Sequence, residues 1–338
     1  MSALRERPAG GDPFFTVVVP TFNRLDVLPE VLAALGDQRE APTFEVVVVD
    51  DGSSDGTPAW IDSFRPAFPF RSLRQENRGP AAARNAGVAI ARGLRVAFLG
   101  DDTVPSPGWL AAHAAAWQRR GADPAVTVLG RTDWHRRMRR TPFLEHINEN
   151  GLQFGFALIS DPERVPFNFF YTSNISLGRD RLLAEPFDTA FPYAAWEDIE
   201  VSYRLDRRGQ RMVYAPEARV AHDHPTSFHR FTIRQERAGY CAVVFYRLHP
   251  ELGPFLGLSP AGPPPLPSGA LQWLREGVAR ALQRFPVNCP RLWEAALRYH
   301  YIRGLHRGWQ DRVVGAGRKE ISHGERQAAG SQEPKSSA

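Results

Sequence analysis

The residues best suited to chemistry stand at the ends of two apolar runs, Val46-Val47-Val48-Val49-Asp50-Asp51 and Val96-Ala97-Phe98-Leu99-Gly100-Asp101-Asp102. Unbroken apolar runs of this length suit parallel strands covered on both faces, and each stops on paired carboxylates. Open α/β sheets bind ligands in the crevice beyond the carboxyl ends of their strands. Two acidic pairs delivered to one crevice make a site for a cation and for the anionic ligand it holds. Asp102 is the metal candidate, because a divalent ion such as Mg2+ or Mn2+ prefers oxygen and commonly takes one or two carboxylates plus substrate phosphates. Such an ion neutralises charge building on a departing diphosphate.

Other residues complete a nucleotide site. Pro20-Thr21-Phe22-Asn23-Arg24 closes the first strand. There Phe22 offers a flat apolar surface for a base, and Asp51 can accept from the imide N–H of uracil. Gly52 and Asp55 already meet the needs of the turn after the second strand, which frees Asp51 for binding. Arg84 lies about one turn into a helix opened by Gly79-Pro80, and helix N-termini favour phosphate, so Arg84 is expected at a diphosphate oxygen. Trp196-Glu197-Asp198-Ile199-Glu200 puts acids in the first turn of a later helix. A carboxylate that deprotonates an attacking hydroxyl contributes typically ~10²–10⁴ in rate; Asp198 is the first candidate and Glu197 its competitor. In Ala221-His222-Asp223-His224-Pro225 one histidine after a returning strand is expected to complete the metal site, His222 in preference to His224.

These residues need a sheet to carry them. Strands are predicted over 14–19, 44–50 and 96–99, with a short one at Leu73. Helices are predicted over 26–35, from Asp55 to about Phe64, and over 81–91 and 108–119. This alternation predicts a parallel sheet with right-handed crossovers. From 131 to 170 the pattern loosens and aromatics gather. A strand over 171–177, a helix over 196–208 and strands over 212–214 and 218–221 close the domain. Beyond it, helices are predicted over 229–248, 270–284 and 291–310. The organisation is thus a flexible N-terminus over 1–12, an α/β domain over 13–228, a helical extension over 229–312 and a disordered tail over 313–338.

Composition narrows the classes. The chain has 338 residues and two cysteines, Cys241 and Cys289, so neither a disulfide framework nor a zinc cluster is expected. The N-terminus lacks the apolar stretch of a signal peptide, no run reaches membrane-spanning length, and a cytoplasmic protein is the expectation. From Thr226 onward there are 16 Lys+Arg against 8 Asp+Glu, while the preceding residues are slightly acidic. Trp and Arg interleaved on the C-terminal helices suit peripheral contact with an anionic membrane surface. No nucleic-acid recognition module is visible, and nucleic acid is not an expected partner.

Taken in order, Val17-Val18-Val19-Pro20-Thr21-Phe22-Asn23-Arg24, Val49-Asp50-Asp51-Gly52-Ser53-Ser54-Asp55-Gly56-Thr57, Asn77-Arg78-Gly79-Pro80 through Arg84-Asn85, Phe98-Leu99-Gly100-Asp101-Asp102 and Trp196-Glu197-Asp198 resemble family 2 of the inverting glycosyltransferases, with the GT-A fold. The resemblance covers about 14–225. It implies a nucleotide-diphospho-sugar donor, UDP-linked by preference, a divalent metal, and a single displacement that inverts the anomeric carbon. It implies that Phe22 and Asp51 hold the base beside Pro20 and Thr21, Asp101 the ribose and Asp102 the metal. It also makes Asp198 the general base acting on a glycan or lipid-linked acceptor. The strand Thr172-Ser173-Asn174-Ile175-Ser176 resembles the family's strand beneath the acceptor. The family's Asp-X-Asp motif often carries an acid where Gly100 stands here. A non-catalytic sugar-nucleotide or glycan binder is the alternative, and retention of Asp51, Asp102 and Asp198 together argues against it. A nucleotidyltransferase would need a Gly-rich basic loop after the first strand, which Pro20-Thr21-Phe22-Asn23 is not.

Overall fold

Val17, Val19, Val46 and Val48 face one side of a sheet and Val18, Val47 and Val49 the other, and all seven are wholly buried. Period-two alternation with both faces covered is what a central parallel strand requires. The computed structural model describes residues 11–266, 269–282 and 289–311; the expected disordered tail and nearly all of the expected flexible N-terminus lie outside them. In chain order the elements are β1 (Phe15–Thr21), α1 (Leu28–Gly36), β2 (Phe44–Asp50), α2 (Thr57–Ser63), β3 (Phe70–Arg74), α3 (Pro80–Ile90), β4 (Arg95–Leu99), β5 (Thr103–Pro105), α4 (Trp109–Gln118), β6 (Val126–Trp134), α5 (Pro142–Glu149), β7 (Asn174–Gly178), α6 (Arg179–Ala184), α7 (Glu197–Arg207), β8 (Arg211–His222), α8 (Phe228–Leu248), α9 (Gly253–Leu256), α10 (Gly269–Leu282) and α11 (Pro290–Gln310).

The described strands form one eight-stranded sheet in the order β3-β2-β1-β4-β7-β6-β8-β5. It is mostly parallel, as expected; β7 runs against β4 and β6, and β5 against β8. Leu28, Leu32 and Leu35 of α1 and Trp109, Leu110 and Trp117 of α4 cover one face. Ala83 and Val88 of α3, Val201 and Leu205 of α7, and Val243 and Phe245 of α8 belong to the core on the other. α8 and α11 pack backbone to backbone: a Cβ on Gly239 would lie 2.0 Å from Tyr301 O, and one on Gly304 the same distance from Glu236 O. Leu305 of α11 joins the same core. No helix among the described residues is long and apolar enough to cross a membrane.

Several elements depart from the sequence expectation. β5 is three residues long and ends on Pro105, too short to show a pattern. β6 starts as an apolar run but crosses Gly130 into alternating Arg131, Thr132 and Asp133, so its second half looks like loop. α5 lies in the loosened stretch and is opened by Thr141, whose hydroxyl accepts from Leu144 N at 3.3 Å. The two expected strands over 212–214 and 218–221 are one strand, β8. Its register against β6 jumps between Ala215 and Arg219, so Pro216, Glu217 and Ala218 bulge out and interrupt the pattern. β7 begins at Asn174, three residues later than expected.

Asn174 holds this bulged region together. Fully buried, it donates through Nδ2 to Arg131 O at 3.0 Å and Ala218 O at 2.8 Å, and Oδ1 accepts from Trp109 Nε1 at 2.7 Å. His113 Nε2 lies 3.0 Å from the same oxygen, so that nitrogen carries the proton, and Nδ1 accepts from Ser176 Oγ at 2.9 Å. Trp117 Nε1 donates to the same hydroxyl at 3.0 Å. Burial pulls His113 down to about 4, so it is neutral at pH 7. Asn174→Ala would strand two carbonyls and an indole N–H, each at ~1–3 kcal/mol. The expected loss is about 3 kcal/mol or more by urea denaturation; a loss below about 1 kcal/mol would contradict this role.

Candidate active site

The loops after β1 and β2 interlock. Asn23 adopts φ 54°, and its Oδ1 accepts from Ser54 N at 2.8 Å and Asp55 N at 3.3 Å. Asn23 N donates back to Ser53 Oγ at 2.9 Å, and Arg24 N to Thr57 Oγ1 at 3.2 Å. Asparagine tolerates the left-handed region better than most residues, and this exchange is what it supports. Pro20 and Phe22 are half-buried and Thr21 is buried at the same strand end.

Asp51 sits one residue beyond β2, its own N–H donating to Thr21 O at 2.9 Å. Its carboxylate accepts from Gln75 Nε2 at 2.7 Å, Arg78 N at 2.9 Å and Gly79 N at 2.8 Å. Burial raises its pKa above the ordinary value in spite of these three donors. The last two donors precede α3 directly, so the helix N-terminus expected to meet phosphate meets a protein carboxylate, as the helix dipole favours. Gly79 has φ 87°, a conformation open to glycine at little cost, and this turns its N–H toward Asp51.

Beyond β4, Asp102 is clasped. His222 Nε2 is 3.4 Å from one carboxylate oxygen and His224 Nδ1 3.0 Å from the other. One ligand atom from each of the three residues lies within 4.8 Å of the rest. Burial alone would raise the Asp102 carboxyl, but the two imidazoles outweigh it and hold it well below the usual range. The imidazole rings are parallel, 5.4 Å apart. Trp134 stacks on His222 and Phe154 meets it edge-on, while His222 Nδ1 is buried without a partner. Arg24 lies 3.8 Å from Asp101 and 3.6 Å from Asp102. Burial raises Asp101 to about 6, with Arg24 pulling down and Asp102 pushing up.

The third group comes from α7. Trp196 precedes it at φ 72°, strained for a bulky side chain, and its indole N–H is fixed to Ala238 O of α8 at 2.9 Å. Glu197 is buried and accepts from Arg84 Nη1 at 2.9 Å. Arg84, expected at the diphosphate, is thus ion-paired to Glu197 and lies 5.4 Å over the ring of Phe187. Asp198 accepts from Ile199 N at 2.9 Å and makes no ion pair within 4 Å among the described residues. Burial, helped by the charge of Glu197 and opposed by Arg84, lifts it to about 7.

The structure therefore brings both histidines to Asp102 rather than one. It separates the two candidate acids of α7 into a paired Glu197 and an unpaired Asp198. Sequence reasoning gave no role to Arg24, Gln75 or Arg234 of α8, whose charge acts on Asp198, Glu197, Tyr171 and Asp102. Arg24 closes the run after β1 and was visible there; Arg234 sits in an ordinary helical stretch with no local signal.

A curled, mostly parallel sheet with acids at its carboxyl ends, a histidine returning beside them and a helical C-terminal region is the GT-A arrangement. The fold matches that of a mannosyltransferase from Pyrobaculum calidifontis, solved in complex with GDP-Man and Mn2+, with a TM-score of 0.58 over 90% of this chain and 89% of that one at 23% identity. Residues 16–176 match the model for glycosyl transferase family 2. A validoxylamine A glucosyltransferase from Streptomyces hygroscopicus subsp. limoneus is 31% identical over 278 residues, 72% of this chain and 58% of that protein. A chondroitin synthase from Escherichia coli is 26% identical over 241 residues, 62% of this chain and 34% of that protein. The chain thus spans less than two thirds of the length of these relatives.

The Arg84–Glu197 pair yields a direct test. Arg84→Met leaves a buried carboxylate unpaired and is expected to cost about 3 kcal/mol in urea denaturation. Adding Glu197→Gln should restore most of it, because removing both charges removes the desolvation penalty. Equal stability of wild type and Arg84→Met would show that the pair contributes nothing.

Proposed function

We propose that this chain is an inverting glycosyltransferase that moves a sugar from a nucleoside-diphospho-sugar, UDP-linked by preference, to a hydroxyl of a glycan or lipid-linked acceptor. The observation that carries the reading is Asp198: a carboxylate free of ion pairs, held at about 7, on the crevice that Asp102, His222 and His224 share. A general base works best when its pKa lies near the operating pH. Glu197 is bound to Arg84 and Glu200 to Arg204, which leaves Asp198 as the one unpaired acid in the first turn of α7, and a single displacement needs one.

At the base end, Phe22 supplies the flat surface. A carboxylate offers about four lone-pair positions, and Asp51 uses three, so it can still accept one N–H from a uracil edge. Pro20, Thr21 and Asp101 flank the ribose side. Asp102, His222 and His224 form a donor set of one carboxylate and two imidazoles that fits a divalent cation, with His222 Nε2 and His224 Nδ1 both turned toward the carboxylate. The two nitrogen donors suit Mn2+ better than Mg2+, which prefers oxygen. When bound, such an ion offsets the charge of the diphosphate. The chain's own residues do the rest: Asp198 takes the proton from the attacking hydroxyl, Arg84 keeps Glu197 away from that role, and the Trp196 turn aims both acids. Exposed Leu271, Trp273, Leu274 and Val278 on α10 support peripheral contact with an anionic membrane surface, since an interfacial helix presents such residues.

Asp198→Asn is expected to keep nucleotide binding near the wild-type level and to lower turnover by ~10²-fold or more. In wild type the base must be ionised, so the turnover rate should climb as pH rises toward about 7 and level off above it. Unchanged turnover in the variant, or a rate that falls over that interval, would remove Asp198 from the role.

A further inference from the structure

Three arginines reach the crevice, and two of them are committed to protein carboxylates. Arg24 lies against Asp101 and Asp102, and Arg84 is bound to Glu197. Arg234 differs. Its guanidinium donates to the neutral amide oxygen of Gln153, lies 5.3 Å over the ring of Phe231, and makes no ion pair within 4 Å among the described residues. Solvent reaches it, yet the surrounding walls lower its pKa by burial, and Asp198, Glu197, Tyr171 and Asp102 pull the other way.

Two features fix its location. The charge of Asp198 and that of Arg234 both act on the Tyr171 hydroxyl, which accepts from Gly155 N at 3.4 Å. The Gln153 that Arg234 holds is one residue from Phe154, which packs on His222. Arg234 therefore lies within electrostatic reach of both Asp198 and Asp102, and is joined through Gln153 to the segment that packs on His222. A guanidinium carries five N–H donors in a planar fork that suits phosphate oxygens, and most of these are unused.

We propose that Arg234 is a catalytic residue that binds the terminal phosphate of the donor's diphosphate and takes up its charge as it departs. This rests on the glycosyltransferase reading above. In the step, the acceptor oxygen forms its bond to the anomeric carbon and gives its proton to Asp198. The bond from that carbon to the β-phosphate oxygen breaks, and its electron pair leaves with the nucleoside diphosphate, against Arg234.

The test compares Arg234→Gln and Arg234→Lys with wild type by calorimetry in the presence of Mn2+, using whichever of UDP, GDP or dTDP binds, and its monophosphate. Loss of a charge-assisted contact predicts that Arg234→Gln binds the diphosphate about 10- to 100-fold more weakly, while the monophosphate binds as in wild type and so reports an intact fold. Arg234→Lys should recover part of the loss. Unchanged diphosphate affinity would overturn the proposal, and a raised KM for acceptor alone would assign Arg234 to the acceptor instead. Equal loss for diphosphate and monophosphate would make its role structural. A wild type that binds none of these nucleotides would overturn the underlying reading, and the proposal with it.

Discussion

Four carboxylates withdrawn from water into one crevice set the terms for the rest of the molecule. A buried carboxylate costs several kcal/mol unless charge or hydrogen bonds compensate it. Asp102 is compensated by two imidazoles and Arg24, Asp101 by Arg24, and Glu197 by Arg84. Asp198 alone lacks such a partner and holds its proton to about 7. One uneven distribution of counter-charge thus leaves Asp101 and Asp102 sharing Arg24, Glu197 paired to Arg84 and Asp198 unpaired among the described residues.

Every part of the fold serves that distribution. β4 ends on Asp101 and Asp102, α3 brings Arg84 across to α7, and the left-handed Trp196 starts α7 with both acids at the crevice. β8, bulged after Ala215, ends on His222, and His224 follows two residues later; both meet Asp102. Asn174 fastens that bulge by binding Ala218 O and Arg131 O. The metal candidate and the buried amide of β7 are therefore parts of one arrangement.

Much of this is legible in the chain because strand ends advertise themselves. The valine runs of β1 and β2 announce two-sided burial, and an acidic pair after such a run has few purely structural uses. Asp51, Asp102 and Asp198 accordingly stand out as candidate site residues. What the sequence hides is partnership between distant segments. Nothing near Arg84 indicates Glu197, 113 positions away, and nothing near Arg234 indicates a crevice. That Asp51 cradles two backbone amides at the start of α3 follows from loop geometry that residue types do not reveal. The antiparallel β7, the bulge in β8 and the three-residue β5 stayed hidden because periodicity needs longer regular runs than these elements have.

The most direct measurement is calorimetric titration of UDP, GDP and dTDP into the protein, with and without Mn2+, for wild type and Asp102→Ala. The account predicts that one nucleoside diphosphate binds, that binding requires the metal, and that it disappears in the variant. Binding that ignores both Mn2+ and Asp102, or no binding of any nucleotide, would contradict it.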